Sequence, residues 1–193
     1  MSGQSYELED FVADLRATLA RGLAEEAMLE EAAGALRRLL ANRDALARYR
    51  WALDQDRGPW LLHEDPDYGF CVTLLLKPRD RSTPVHHHEK AWTLYGIFDG
   101  IETVHRYDRH DDRSAPGRAD VRWTVDHVRQ PGEVEIEPAY AIHNETTSQD
   151  RDTIAIAVRG CNLALIQQEW FDLAAGTVRS GPGNAAKPLP ARA

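Results

Sequence analysis

The sequence predicts an α+β fold that is mainly β: a small barrel or sandwich of short strands with a helical N-terminal part packed on its outside. Three observations carry this. Apolar residues recur at helical spacing through about residues 6–53. Beyond Asp56-Arg57-Gly58-Pro59 the pattern changes to short β-type runs separated by turn residues. Helices come first and strands follow, with no internal repeat and no low-complexity block. The 193 residues suit one domain, placed at 1–180, with the strands at about 60–175. The Gly-, Pro- and Ala-rich segment 181–193 is expected to be loosely ordered.

Leu8, Phe11, Val12, Leu15 and Leu19 form one apolar face of a first helix. Met28, Leu29, Ala32, Leu36, Leu39 and Leu40 do the same for a second, and Gly22 suits the turn between them. Asn42-Arg43-Asp44 ends the second helix and offers a cap to a short third one carrying Leu46 and Trp51. Residues 70–77 (FCVTLLLK) read as a buried strand closed by Pro78. Residues 92–98 and 101–107 flank Asp99-Gly100, a pair that predicts a tight hairpin because both turn residues then take positive φ. Residues 121–125, 134–136, 153–158 and 163–170 complete the strands, and 109–118 reads as a polar loop around Pro116-Gly117.

Hydrophobic residues make up 42% and charged residues 28%, the balance of a soluble globular protein. Lys plus Arg number 23 against 31 Asp plus Glu, a net charge of −8, which argues against a nucleic-acid binder or a polybasic membrane anchor. No stretch approaches the roughly 20 apolar residues of a membrane span. The opening MSGQSYELEDF is acidic and has no apolar core, so no signal peptide and a cytoplasmic location are expected. Cys71 and Cys161 are too few for a disulfide scaffold or a zinc ribbon, and each lies in an apolar run that suits a buried free thiol.

The chemistry concentrates in STPVHHHEKAW. On a strand His86 and His88 share a face and His87 takes the other, so His86 and His88 make half of a metal site. His143, in PGEVEIEPAYAIHNE, is the candidate for the other half. A His-x-His on one strand and a distant His after a Pro-containing turn, about 55 residues on, is the pattern of a cupin, a jelly-roll-like β-barrel. The usual cupin carboxylate, four or five residues after the second His, is replaced by Trp92 and Thr93, so three neutral imidazoles are expected to hold the metal without a carboxylate. Imidazole suits Fe, Ni, Cu or Zn. A surface His cluster without metal stays open as the plainer reading, and a hydrolytic zinc site lacks an evident general base. His63, His105, His110 and His127 have no ligand-like spacing.

From about Leu8 to Pro182 the chain resembles the cysteine dioxygenase-like cupins, most of all their bacterial 3-mercaptopropionate and cysteine dioxygenase branch. The resemblance rests on LLHEDPDYGFCV, on STPVHHH, on PGEVEIEPAYAIH, on RGCNL and on FDLAAGTVR, in that order. It implies Fe(II)-dependent dioxygenation of a small thiol to a sulfinic acid, with O2 and a small-molecule substrate as partners. It also implies that His86, His88 and His143 are the iron ligands. The family's late-strand Ser-x-His-x-Tyr arrangement is missing: those positions hold Ala155, Ala157 and Arg159. Strand alternation puts these three on one face, where Arg159 would clamp a substrate carboxylate; an outward, structural Arg159 is the other reading. Tyr140 and Tyr95 are candidates to replace the lost phenol. With Arg159 in the Tyr position, Cys161 has no partner for the Cys–Tyr crosslink of some relatives. A cupin oxygenase or isomerase acting on another small acid, or a non-catalytic metal- or ligand-binding cupin, are the alternatives.

Overall fold

The computed structural model describes residues 5–189. Three helices, α1 (Leu8–Ala20), α2 (Glu25–Ala41) and α3 (Arg50–Gln55), precede twelve strands. The strands are β1 (Trp60–Glu64), β2 (Cys71–Lys77), β3 (Val85–His87), β4 (Thr93–Asp99), β5 (Glu102–Arg109) and β6 (Val121–Arg129). They continue as β7 (Val134–Glu137), β8 (Ile142–Thr147), β9 (Thr153–Arg159), β10 (Gln167–Asp172), β11 (Thr177–Pro182) and β12 (Lys187–Pro188). The first helix starts on a reciprocal cap, in which the Asp10 carboxylate accepts the Glu7 backbone N–H at 2.9 Å.

The strands form two six-stranded sheets, β12-β1-β2-β9-β4-β7 and β11-β10-β3-β8-β5-β6. All pairings are antiparallel except β1 with β12. Two such sheets of a mainly β chain, with helices on one side, are the cupin layout expected from the sequence. The helices cover the outer face of the first sheet. Phe11, Leu15, Leu36, Leu39 and Leu40 pack there with Leu74, Leu94, Ile156 and Val158 in one apolar core. Each of these strand residues alternates with one that faces the space between the sheets. Among the described residues no helix is long and apolar enough to cross a membrane.

Three expectations are corrected. Asp99-Gly100 does not close a hairpin: β4 pairs with β7 and β9, whereas β5 pairs with β6 and β8 in the other sheet. Only Gly100 of the pair has positive φ (91°), and a Cβ there would lie 2.6 Å from Thr153 Oγ1 and 2.7 Å from the Asp152 carbonyl oxygen. The turn therefore passes the chain from one sheet to the other, against β9, through a space only glycine fits. Residues 163–170 are not one strand. Asn162 caps a 3₁₀ turn at Leu163–Leu165 by accepting the Ala164 N–H at 3.0 Å, and β10 begins at Gln167. Residues 181–189 are not loose: the Lys187 N–H donates to the Pro59 carbonyl at 2.8 Å and β12 lies parallel to β1. The remainder of that expected tail, 190–193, lies outside the described residues.

Candidate metal centre

The site is built on the face of the strands turned away from the helices. His86 on β3 stands directly opposite His143 on β8, and His88 follows the end of β3 on the same side. Ring centroids are 4.5 Å apart for His86 and His143, 4.7 Å for His86 and His88, and 5.2 Å for His88 and His143. One nitrogen of each lies within 4.8 Å of the other two. His87 takes the opposite face. Its Nδ1 accepts the Glu89 N–H at 2.9 Å, so Nε2 carries the hydrogen that reaches Glu169 at 2.8 Å.

Two rings are oriented by the carbonyl two residues before them. His86 Nδ1 is 2.8 Å from the Pro84 oxygen and His143 Nδ1 is 3.1 Å from the Ala141 oxygen. A carbonyl only accepts, so each Nδ1 carries a hydrogen and each Nε2 keeps its lone pair, the usual outer support of a ligating His. His143 Nε2 and His88 Nδ1 are buried without a hydrogen-bond partner. Burial, reinforced by neighbouring cationic groups, pushes His86 and His143 down to about 4 and His88 well below its ordinary value. The three imidazoles are therefore neutral near pH 7, the form that binds a metal.

The expected carboxylate-free surroundings are not what surrounds His143. Glu137 on β7 places Oε2 3.4 Å from His143 Nε2, and Glu145 on β8 places Oε1 3.8 Å from it. Glu137, His143 and Glu145 form a second cluster of donor atoms within 4.8 Å, sharing His143 with the first. Burial raises the Glu137 carboxyl above its ordinary value. Burial acts on Glu145 in the same direction, but the Lys77 charge, with a hydrogen bond from Thr83, outweighs it and holds that carboxyl well below. Both glutamates carried a signal in the sequence. Glu137 alternates with Ile136 and Val134, and Glu145 is two residues from His143, the same relation that joins His86 to His88.

A further charged group was not foreseen. Lys77 Nζ is 3.2 Å from Glu102 and 3.3 Å from Glu145, and 4.5 Å from the Tyr95 ring centroid. The Tyr95 hydroxyl donates to Glu102 at 3.1 Å. One cation thus serves two buried carboxylates beside the histidines.

A cavity of about 180 Å3 opens onto these groups, lined among others by His86, His88, Lys77, Tyr95, Glu145 and Arg159. That is room for a small molecule only. Arg159 reaches it from the end of β9. Its Nη1 donates to Thr73 Oγ1 at 3.3 Å, its Nε is buried without a partner, and among the described residues no carboxylate pairs with it. Ala155 and Ala157 lie on the same side of β9, packed with Tyr95 and Ile97. Tyr140 is not in the cavity. It has positive φ (63°), is 49% exposed, and sets its ring against His87 at 5.9 Å, on the face turned away from the other imidazoles. Of the two candidate phenols only Tyr95 lines the cavity. Cys71 and Cys161 are free thiols, and both line it too. Burial pushes the Cys71 thiol up to about 12, so it stays protonated. His105 and His127 are engaged elsewhere, with Asp126 and Glu135.

The donor set fits a divalent transition metal: three neutral imidazoles, two of them externally oriented, with buried lone pairs that nothing else uses.

No family model matches the chain. No curated protein matches it. Solved structures with a related arrangement are distant. The DMSP lyase DddQ from Ruegeria pomeroyi DSS-3 is 17% identical, with a TM-score of 0.36, over 48% of this chain and 39% of that one. An oxalate oxidase in complex with glycolate is 14% identical, with a TM-score of 0.39, over 48% and 42%. A protein with a double-stranded β-helix domain from Klebsiella pneumoniae is 12% identical, with a TM-score of 0.39, over 51% and 67%. The matched stretch thus spans about two fifths of the lyase and oxidase chains.

Proposed function

We propose that the chain is a non-haem metalloenzyme that oxidises a small organic acid between its two sheets. The metal is Fe(II), the co-substrate is O2, and the substrate is a mercapto acid or cysteine-like thiol. One observation carries the reading: His86 and His88, clustered with His143, line the same small cavity as a guanidinium without a carboxylate ion pair. His86, His88 and His143 would hold the metal, which when bound supplies redox and Lewis-acid chemistry. The net change would be R–SH + O2 → R–SO2H.

The chain's own residues bind, orient and exclude. Arg159 is a half-buried cation with no carboxylate in ion-pair contact, and its planar fork suits a carboxylate. Thr73 holds one arm of that fork, which orients it. Ala155 and Ala157 are fully buried beneath Tyr95 and Leu75, and it is these two larger side chains that line the cavity there. Leu75, Leu163 and the protonated Cys71 give it an apolar wall that limits water. Lys77 is balanced by Glu102 and Glu145, so it adds little net attraction for an anion.

A second reading is favoured by Glu137 and Glu145. A thiolate on a three-imidazole centre brings needed negative charge, and these carboxylates already provide some beside His143. The substrate would then be a small carboxylic acid without sulfur, turned over by a cupin oxygenase or isomerase. The test is O2 uptake by the anaerobically Fe(II)-loaded protein with 3-mercaptopropionate, cysteine and cysteamine in parallel. Uptake coupled to sulfinate with either acid, and none with cysteamine, supports the first reading, because cysteamine has no carboxylate for Arg159. No uptake with any thiol, from protein shown to hold iron, moves the assignment to the second.

A further inference from the structure

Two glutamates approach His143, and their surroundings differ. Glu145 is fully engaged. Thr83 Oγ1 donates to its Oε2 at 2.6 Å, Lys77 Nζ lies 3.3 Å from its Oε1, and its backbone N–H returns to Thr83 Oγ1 at 3.0 Å. Drawing it to a metal would strip Lys77 of one of its two counter-charges in a buried setting. Glu137 is equally buried, at 2% exposure, yet no donor reaches its Oε1. Its neighbour on the same face of β7, Glu135, gathers hydrogen bonds or ion pairs from Arg106, Arg129 and His127. Glu135 takes the hydrogen bonds of these groups, and none of them donates one to Glu137. An ionised carboxylate so placed is costly unless a cation joins it. The one group its Oε2 approaches is His143 Nε2, itself buried and unpartnered, at 3.4 Å. A buried carboxylate oxygen and a buried imidazole nitrogen that face each other at 3.4 Å, neither with a hydrogen-bond partner of its own, are placed as two ligands of one cation would be.

We propose that Glu137, brought in from β7, is the carboxylate ligand of the metal held by His86, His88 and His143, and that Lys77 and Thr83 withhold Glu145 from that role. This rests on the metal-centre reading above and adds the division of labour between the two carboxylates. The metal centre then has four protein ligands, and one of its positive charges is neutralised within the protein.

The test uses Co(II) alone as probe, titrated into the metal-free full chain and followed by visible absorption and by thermal unfolding. The wild type binds one Co(II) per chain. Glu137→Gln weakens Co(II) binding at least about tenfold, the lower end of what even outer partners of a metal ligand contribute. It also changes the Co(II) absorption envelope. The metal-free Glu137→Gln protein is as stable as the wild type or more so, because an unpaired buried carboxylate is gone, while its stabilisation by Co(II) shrinks. Glu145→Gln keeps the wild-type absorption envelope. Should that variant fail to fold, Thr83→Val, which frees one oxygen of Glu145 but keeps its charge, serves in its place and also keeps the envelope. Wild-type affinity and absorption in Glu137→Gln would overturn the inference and leave the three-histidine reading standing. No Co(II) binding by the wild type would overturn both.

Discussion

The two faces of the sheet β2-β9-β4-β7 are built from the same strands and have opposite physics. Toward the helices, Leu74, Leu94, Ile156 and Val158 are dry and apolar. Toward the other sheet the same strands present Thr73, Lys77, Tyr95, Glu137 and Arg159. A one-residue step changes which solvent a side chain meets. The helix-covered face supplies the burial that holds the fold, at about 1.5–3 kcal/mol for each large side chain. That surplus lets the inner face keep charges in a setting where each must be balanced. In this chain, then, stability and chemistry are divided by strand parity and not by segment.

Substitutions on the two faces test that division. The largest loss is expected inside. Lys77→Met leaves Glu102 and Glu145 without their cation and should cost about 3–5 kcal/mol in denaturant unfolding. Adding Glu102→Gln and Glu145→Gln should restore much of it, and a loss below about 1 kcal/mol for Lys77→Met alone would mean the network is not charged as drawn. Leu94→Ala, on the dry face, should cost about 2–5 kcal/mol and leave metal binding intact in the protein that remains folded. A Leu94→Ala variant that folds well but loses metal would dissolve the distinction between the faces.

Arg159→Met should leave stability nearly unchanged, since no ion pair is broken and the one hydrogen bond lost is that to Thr73. Losing its charge-assisted hydrogen bonds should weaken binding of small carboxylates by about 10–100-fold, read by calorimetry. Equal binding by both proteins would place the anion elsewhere. The smallest effect lies outside the cavity, in the turn between β1 and β2. Burial alone would raise Asp65. The backbone N–H groups of Tyr68 and Asp67 and the Arg16 guanidinium outweigh it and bring the carboxyl to about 2, against an ordinary 3.8. A depressed folded value means that the stabilisation is present above about pH 4 and disappears as pH falls toward 2. Asp65→Asn should therefore be less stable than the wild type at pH 6, with the gap closing by pH 2. A gap that stays constant over that range would exclude the charge as its source.

Much of the site was legible because strand alternation is local. It placed His86 and His88 together and His87 apart, and it put Ala155, Ala157 and Arg159 on one face. It failed where the backbone leaves the strand. Tyr140 sits in a turn at positive φ, and parity counted back from His143 says nothing there. Glu137 and Glu145 went unread because a charged residue on a short strand is ordinarily given to solvent. Only their parity with Ile136 and His143 argued otherwise. The Asp99-Gly100 turn has the local chemistry of a hairpin, but which sheet receives β5 is decided by β6 and β8. Likewise the Gly- and Pro-rich composition after residue 180 says nothing of a partner as remote in sequence as β1.

That last pairing has a consequence for the order in which the protein comes into being. Asn184 and Ala186, just before β12, line the cavity beside Pro59, at the entry to β1. During synthesis the helices and the strands β1 to β11 emerge first, and this stretch of wall arrives after them. Until it docks, a nascent chain already holds its histidines and Arg159 but has an open flank, so a ribosome-stalled intermediate should exchange small molecules with solvent more freely than the finished fold.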